Sequence, residues 1–163
     1  IEDDHFIEKI KKLFDIEKKP SAAKLLNELD QRRASNTINL GVLTRVGNAY
    51  LLSYKGEDNW SSDLSTASQV LDVNVLHQLI LKPACGIDTR NQHDLGHLAY
   101  VRGNEPPLEM IKNVSDYDFV FFVNPPDLDQ IFDVAETGET MPQKSTYFYP
   151  KVYSGLVTAG IGD

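Results

Sequence analysis

Apolar residues in the first part of the chain predict a helix, a short strand and a second helix. The first helix is predicted over residues 4–14, with Asp3 or Asp4 as its N-cap. Residues 15–19 predict a short edge strand, because its lysines discourage pairing with another chain. Pro20-Ser21 is typical of the start of the next helix. The apolar positions at helical spacing are Phe6, Ile7, Ile10, Leu13 and Phe14 in the first helix, and Ala22, Leu25, Leu26 and Leu29 in the second.

Two apolar runs, residues 38–46 and 49–55, are separated by Gly47-Asn48. Glycine and asparagine tolerate the left-handed backbone of tight turns, so the pattern predicts an antiparallel hairpin. Residues 56–68 are polar except around Trp60, and they have no periodicity. We interpret them as a surface loop.

A third helix is predicted to begin at Asp72, which suits an N-cap, and to end at Pro83 and Gly86. Its apolar positions are Val73, Val75, Leu76, Leu79 and Ile80. Residues 89–94 predict a loop, and residues 98–101 predict a short strand.

The remaining pattern predicts a helix, a strand and a final helix. Pro106-Pro107 precedes a short helix through Met110 and Ile111. Residues 119–123 are a continuous apolar run, typical of a strand that is buried on both faces. The helix that follows is closed by Gly138. Its predicted inner side comprises Leu128, Ile131, Phe132 and Ala135.

This order of elements predicts the α+β class. A strand–helix–strand–helix succession implies a right-handed parallel crossover beside the earlier hairpin. We therefore expect a mixed β-sheet packed with helices. No repeat or linker divides residues 1–163, so we expect a single domain.

Composition narrows the classes of function. The formal net charge of -8 argues against sequence-independent binding of nucleic acid. No apolar run approaches the roughly 18 to 20 residues that a membrane span needs, so we expect no membrane partner. A single cysteine, Cys85, excludes a disulfide framework. It fits a cytoplasmic location, and a cysteine-poor secreted protein is the alternative. The chain begins with Ile1, and we interpret it as a piece of a longer protein. We expect it to contact the N-terminal half of that protein.

The strongest chemical pattern lies near the C-terminus. Residues 140–162 contain no aspartate or glutamate, although the whole chain is acidic. They include Lys144 and Lys151 and the hydroxyls of Ser145 and Thr146. Cations and hydroxyl donors without a competing carboxylate are typical of an anion-binding surface. We predict that these four residues form an anion-binding site.

Lys144-Ser145 follows Gly138 at the spacing of the phosphate loop G-x-x-x-x-G-K-[ST], but Gln143 replaces the second glycine. The predicted helix also precedes the loop, and residues 147–149, followed by Pro150, cannot open one. In a true phosphate loop, backbone N–H groups and the next helix N-terminus hold the phosphate. We therefore reject that motif and retain a looser anion site. The alternative is a strand and turn whose lysines reach solvent.

Asn124 and His77 are lesser candidates for the same ligand. Asn124 ends a predicted buried strand, where open α/β sheets bind ligands, and its alternative role is a turn before two prolines. His77 lies on the apolar face of the third helix and suits an acid or base, since the pKa of histidine moves easily. Its alternative role is a half-buried histidine with one satisfied nitrogen.

Other chemistry is weaker. His93 and His97 are four residues apart, but Gly96 argues against a helix there and no third ligand is near, so we expect no metal site. Cys85 would be a nucleophile only beside a histidine, and a small buried side chain is the alternative. The pattern identifies no cofactor and no reaction.

Several motifs resemble one protein family. They are Leu-Asp-Val-Asn-Val-Leu-His (71–77), Val-Asn-Pro (123–125), Gln-Ile-Phe-Asp-Val-Ala-Glu-Thr-Gly-Glu (130–139), Met-Pro-Gln-Lys-Ser-Thr-Tyr-Phe-Tyr-Pro-Lys (141–151) and Ser-Gly-Leu-Val (154–157). Their order resembles the C-terminal end of the prokaryotic "domain of unknown function 1015" family. The likeness covers roughly residues 70–160.

Full-length members of that family resemble, in their N-terminal half, chromosome-partitioning ParB proteins, sulfiredoxin and a free-serine kinase. They carry there an Asp-Gly-His-His-Arg type of motif, which this sequence does not contain. The resemblance implies that the parent protein is an enzyme that handles phosphate or a nucleotide.

Two functions follow as hypotheses. In the first, the chain is the C-terminal part of a phosphate-handling enzyme, and residues 138–157 supply an anion-binding loop to a composite site. In the second, the chain is a non-catalytic module, and the tyrosines and Phe148 of the same segment dock on the N-terminal half.

Overall fold

The computed structural model describes residues 2–56, 60, 64–101, 116–142 and 145–146. In chain order, the helices and strands are α1 (Asp3–Ile10), β1 (Phe14–Lys19), α2 (Ala22–Arg32), β2 (Asn39–Thr44), β3 (Ala49–Tyr54), α3 (Thr66–Gln69), α4 (Asp72–Val75), a π-helix (Leu76–Cys85), a short 3₁₀-helix (Asp94–His97), β4 (Phe119–Phe122) and α5 (Leu128–Glu136).

The described strands form a four-stranded sheet in the order β1-β3-β2-β4. The hairpin prediction is confirmed, because β2 pairs antiparallel with β3 across a turn in which Gly47 has a φ of 88°. The edge strand predicted at residues 15–19 is also confirmed as β1. The α+β class is therefore confirmed.

The predicted parallel crossover is wrong. β4 pairs antiparallel with β2, with Gly41 opposite Phe122, so every pairing among the described strands is antiparallel. The crossover needed residues 98–101 as its first strand, and these residues lie outside the sheet. Tyr100 and Val101 are largely exposed, so this stretch gains no burial from strand pairing. β4 lies at an edge and is half-buried, not buried on both faces.

Strand alternation divides the apolar residues between two faces of the sheet, because successive side chains point to opposite faces. One face packs on α1 and the π-helix, through Phe6, Ile10, Phe14, Leu40, Val42, Leu52 and Ile80. The other packs on α2, through Leu25, Leu29, Leu43, Ala49 and Leu51. We call these the π-helix face and the α2 face. Gly41 lets α2 approach closely, since a Cβ there would lie 3.2 Å from Phe122 Cβ and 3.4 Å from Leu25 Cδ2.

Two helix boundaries differ from the prediction. α1 ends at Ile10 because Phe14 begins β1 and is buried on the π-helix face. The loop predicted to reach Ser68 ends earlier, because α3 begins at Thr66 with Ser65 as its N-cap. The short helix predicted through Met110 and Ile111 lies outside the described residues.

The helix predicted from Asp72 is present but changes type. Leu71, not Asp72, occupies the N-cap position, and from Leu76 onwards the helix is a π-helix. Pro83 does not end it, although Gly86, with a φ of 72°, does. Proline lacks an N–H, so it removes one helical hydrogen bond. The wider π-turn accommodates the proline as far as Cys85.

The final helix, α5, begins with a capping box, in which the side chains of Asp127 and Gln130 each accept from the other's backbone N–H. Gly138, with a φ of 78°, follows it as predicted. The predicted inner side is correct only at Ile131, which is half-buried. Val134 is the fully buried residue, while Leu128 and Phe132 are 62% and 63% exposed.

Candidate functional site

A row of polar residues crosses the sheet at one end. Ser53 of β3 lies opposite both Asp15 of β1 and Asn39 of β2 in the register. Asn124, two residues beyond the end of β4, donates from Nδ2 to the Asn39 carbonyl oxygen at 3.2 Å. We call Asp15, Ser53, Asn39 and Asn124 the polar row. The strand residues of the polar row lie on the α2 face of the sheet. Ser53 is two residues from Leu51, and Asn39 is four residues from Leu43, so each side chain points to the same face as that leucine.

The polar row lies where α2 stops covering the sheet. α2 buries Leu25 and Leu29 on this face and ends at Arg32. Beyond that end, an open cavity of about 370 Å³ remains. Its lining consists of Asp15, Glu17, Arg32, Ser35, Thr37, Asn39 and Ser53. A cavity with this lining suits a polar ligand, since side-chain hydroxyls, an amide and both signs of charge meet in it.

Asn39 is the fixed centre of the cavity. It is only 2% exposed, and its side chain is held on both sides. Its Nδ2 donates to the Thr37 carbonyl oxygen at 2.6 Å and to Ser35 Oγ at 3.1 Å. Its Oδ1 accepts from Ser53 Oγ at 2.7 Å. Because a buried amide must be hydrogen-bonded, these contacts determine the orientation of the Asn39 side chain.

An alternating set of charges supports the wall of the cavity. Glu17 accepts from Lys19 and from Arg32, both at 2.8 Å, and Lys19 also lies 2.5 Å from Glu28. The Lys19 contact, followed by Arg32, lowers the pKa of the Glu17 carboxyl, and Lys19 likewise lowers the pKa of Glu28. The two carboxylates, Glu17 first, raise the pKa of Lys19. Glu17, Glu28 and Lys19 therefore keep their charges at neutral pH.

Asp72 connects the far end of the polar row to the start of α4. Its Oδ2 accepts from the backbone N of Asn124 at 3.2 Å and from Asn124 Nδ2 at 3.0 Å. Burial raises the pKa of the Asp72 carboxyl, although the Asn124 hydrogen bonds act in the opposite sense. Asn124 is predicted to bind the anion, but its side-chain amide donates to the Asp72 carboxylate and to the Asn39 carbonyl.

His77 and Cys85 both lie on the π-helix. His77 is 7% exposed, and burial lowers its pKa to about 4, so its imidazole is neutral at pH 7 and offers no positive charge to an anion. Burial raises the pKa of the Cys85 thiol to about 11, which keeps it protonated. A protonated thiol is a poor nucleophile.

Glu139 holds the beginning of the acid-free segment. Its Oε1 accepts from the Ser65 backbone N at 2.7 Å, and its Oε2 accepts from Ser68 Oγ. Ser65 is the N-cap of α3, so the carboxylate lies at the N-terminus of this short helix. The Ser68 hydroxyl, followed by the Ser65 N–H, lowers the pKa of Glu139. We call this arrangement the Glu139 clamp.

The predicted anion-site residues are only partly within the described chain. Lys144 and Lys151 lie outside the described residues. Ser145 donates from its hydroxyl to the Pro142 carbonyl oxygen at 2.6 Å, and its backbone N donates to the same oxygen at 3.2 Å. Thr146 is half-buried. Asn124 and Ser145 hydrogen-bond to different partners, and the predicted anion site stays a prediction.

The paired histidines lie around a short 3₁₀-helix. Gly96 lies in a 3₁₀-helix with His97, while His93 precedes it. Within the described residues, no three histidine, cysteine, aspartate or glutamate side chains are grouped to hold a metal ion. Of the helices in the described part of the chain, none has the length and apolarity needed to cross a bilayer.

Sequence interpretation missed the cavity, although its signal was present. Asp15 and Glu17 share one strand parity, opposite to Phe14 and Ile16. Asn39 and Ser53 each interrupt an otherwise apolar run. The register between paired strands places these polar residues side by side, and the sequence of one strand does not reveal that register.

Comparisons of the chain with models of protein families, with curated proteins and with solved structures found no match. The resemblance to the "domain of unknown function 1015" family therefore stays a prediction.

We predict that Asp72 makes stability fall as pH rises. A carboxyl whose folded-state pKa is raised stabilises the fold fully below its unfolded pKa, ordinarily 3.8, and this contribution is lost as pH rises through the folded value. Asp72→Asn stays neutral throughout. Its free energy of unfolding, relative to the unsubstituted protein, should therefore increase from below pH 3.8 towards neutrality.

Urea unfolding at a series of pH values measures this difference. Asp133→Asn, at an exposed position of α5, is the matched control. An Asp72→Asn difference that stays constant with pH, or falls, would contradict the assignment.

Glu139 should have the opposite pH dependence. Because its folded-state pKa is lowered, its stabilising contribution is present above the unfolded pKa, ordinarily 4.5, and is lost as pH falls through the folded value. Glu139→Gln should therefore unfold at lower urea than the unsubstituted protein at pH 7, and the gap should close in acid. Glu136→Gln, three residues earlier and exposed, should show little gap at any pH. Equal gaps for Glu139→Gln at neutral and acid pH would refute the clamp.

Proposed function

We propose that the chain is the C-terminal part of a cytoplasmic, prokaryotic enzyme that handles a phosphate-bearing small molecule or a nucleotide. Its role is to bind the anionic end of that molecule through residues 140–162. The cations of this segment are Lys144 and Lys151, and its nearest hydroxyls are those of Ser145 and Thr146.

The Glu139 clamp is the observation that carries this proposal. Glu139 is the last acid before a segment with none until Asp163. Both of its carboxylate oxygens accept hydrogen bonds from the start of α3, so its charge is compensated there. The nearest acid that precedes these lysines in sequence thus already has hydrogen-bond partners of its own. Positive charge on a molecule with a net charge of -8 attracts anions to one place.

The other predicted site residues contribute less to anion binding than the lysines do. Ser145 directs its hydroxyl hydrogen at the Pro142 carbonyl, so it must break that hydrogen bond before it can donate to a phosphate oxygen. Asn124 and the neutral His77 supply no charge, which leaves the lysines as the electrostatic component.

Binding measurements on lysine variants test this proposal. Isothermal titration calorimetry of ATP and of phosphoserine into the full-length protein should give saturable binding. Lys144→Ala and Lys151→Ala should each weaken it by about 10-fold or more, which corresponds to about 1.4 kcal/mol. Lys12→Ala, which removes an exposed lysine near α1, should leave the affinity unchanged. Unchanged affinity in both Lys144→Ala and Lys151→Ala would end the proposal.

A second candidate function, docking on the N-terminal half expected to precede this chain, is favoured by the orientation of α5. Leu128 and Phe132 are one helical turn apart and more than 60% exposed. Ala135 continues the same stripe and is also exposed. An amphipathic helix that turns its apolar stripe outwards is suited to contact another protein surface.

Association between separately expressed halves tests this candidate. Phe132→Ser should weaken association by about 10-fold or more, because aromatic anchors dominate such interfaces. Lys144→Ala should have little effect if residues 140–162 bind a small anion instead. Loss of association in Lys144→Ala with none in Phe132→Ser would exclude docking through α5.

A further inference from the structure

We propose that the cavity beyond the end of α2 binds a small zwitterion, a molecule that carries a primary ammonium group and a carboxylate. This site is separate from the proposed anion-binding segment and uses none of residues 140–162. It depends on the polar row and on Arg32.

The floor of the cavity is preorganised. Asn39 is buried and held by Thr37, Ser35 and Ser53 at 2.6 to 3.1 Å. Strand register places Ser53 between Asn39 and Asp15. A ligand therefore meets polar groups whose positions are already fixed, which lowers the entropy lost on binding.

Arg32 is suited to the carboxylate of the ligand. Its Nη2 contacts Glu17 at 2.8 Å, while Nη1 reaches Ser53 Oγ only at 3.3 Å. Nη2 also lies 3.9 Å from Glu28. A guanidinium has five N–H donors, so these three contacts leave donors for a carboxylate. The side chain is 37% exposed, at the end of α2, and it is accessible from solvent.

Asp15 is suited to the ammonium group. Its side chain is 75% exposed, and its ion pair with Lys55 is long, with 3.5 Å between Oδ1 and Nζ. Exposed ion pairs of this kind contribute little, so a ligand ammonium can replace the lysine. Glu17, next along the same face of β1, is already paired with Lys19 and Arg32, which leaves Asp15 as the carboxylate for the ammonium group.

The charges of the lining discriminate between ligand classes. Asp15 opposes a simple anion through its negative charge, because its only ion pair, with Lys55, is long at 3.5 Å. Arg32 opposes a simple cation in the same way. A zwitterion places each charge beside its opposite. The volume of about 370 Å³ lies at the small end of the range for small-molecule pockets, about 300 to 1,000 Å³, so the ligand is small.

Three related probes separate these classes. L-threonine carries both charges, 3-hydroxybutyrate carries only the carboxylate, and 1-amino-2-propanol carries only the ammonium group. Each is titrated into the ¹⁵N-labelled chain, and backbone amide shifts are followed by NMR. We expect L-threonine to give saturable shifts at Thr37, Asn39 and Ser53. Each single-charge probe should bind about 10-fold more weakly or worse, a difference of about 1.4 kcal/mol.

Matched variants locate the site. Arg32→Gln should weaken L-threonine binding by about 10-fold, while Arg33→Gln, at the exposed next position, should change it by less than about 2-fold. Asp15→Asn, at an exposed position, gives a second test if Arg32→Gln does not fold. Absence of saturable shifts, equal binding of a single-charge probe, or equal losses in Arg32→Gln and Arg33→Gln would overturn the proposal.

Discussion

Burial of both faces of the two central strands is the constraint on which the rest of this structure depends. All six residues of β2 are buried, and β3 alternates between the same two cores. A helical layer must therefore cover each face, since apolar surface on either side would otherwise meet water. α1 and the π-helix cover one face, and α2 covers the other.

The cavity lies where this coverage ends. α2 is shorter than the sheet face on which it packs, so the polar row lies beyond Arg32. Asn39 shows the consequence most clearly, because it is buried in the sheet and must find every hydrogen bond from neighbours. Fixed orientation of a polar group, required first for stability, also prepares that group to meet a ligand.

Two carboxylates connect, by hydrogen bonds, chain segments that lie outside the strands of the sheet. Asp72 accepts from the backbone N of Asn124 just after β4, and Glu139 accepts from the backbone N of Ser65 just before α3. Each joins segments more than fifty residues apart in sequence. Their surroundings set opposite pKa shifts, since burial dominates at Asp72 and hydrogen bonds dominate at Glu139.

The sequence by itself determined the local elements, because apolar spacing, turn residues and caps act over a few positions. It located the Gly47 hairpin, the start of α2 after Pro20 and the end of α5 near Gly138. Only the tertiary structure decided which strands pair, which side of α5 faces inwards and which polar residues meet. β4 joined β2 as an antiparallel edge, and Phe132 turned outwards, since both outcomes depend on what else covers the surface. Asp15, Ser53 and Asn39 came together for the same physical reason, because register is a property of paired strands and not of any one of them.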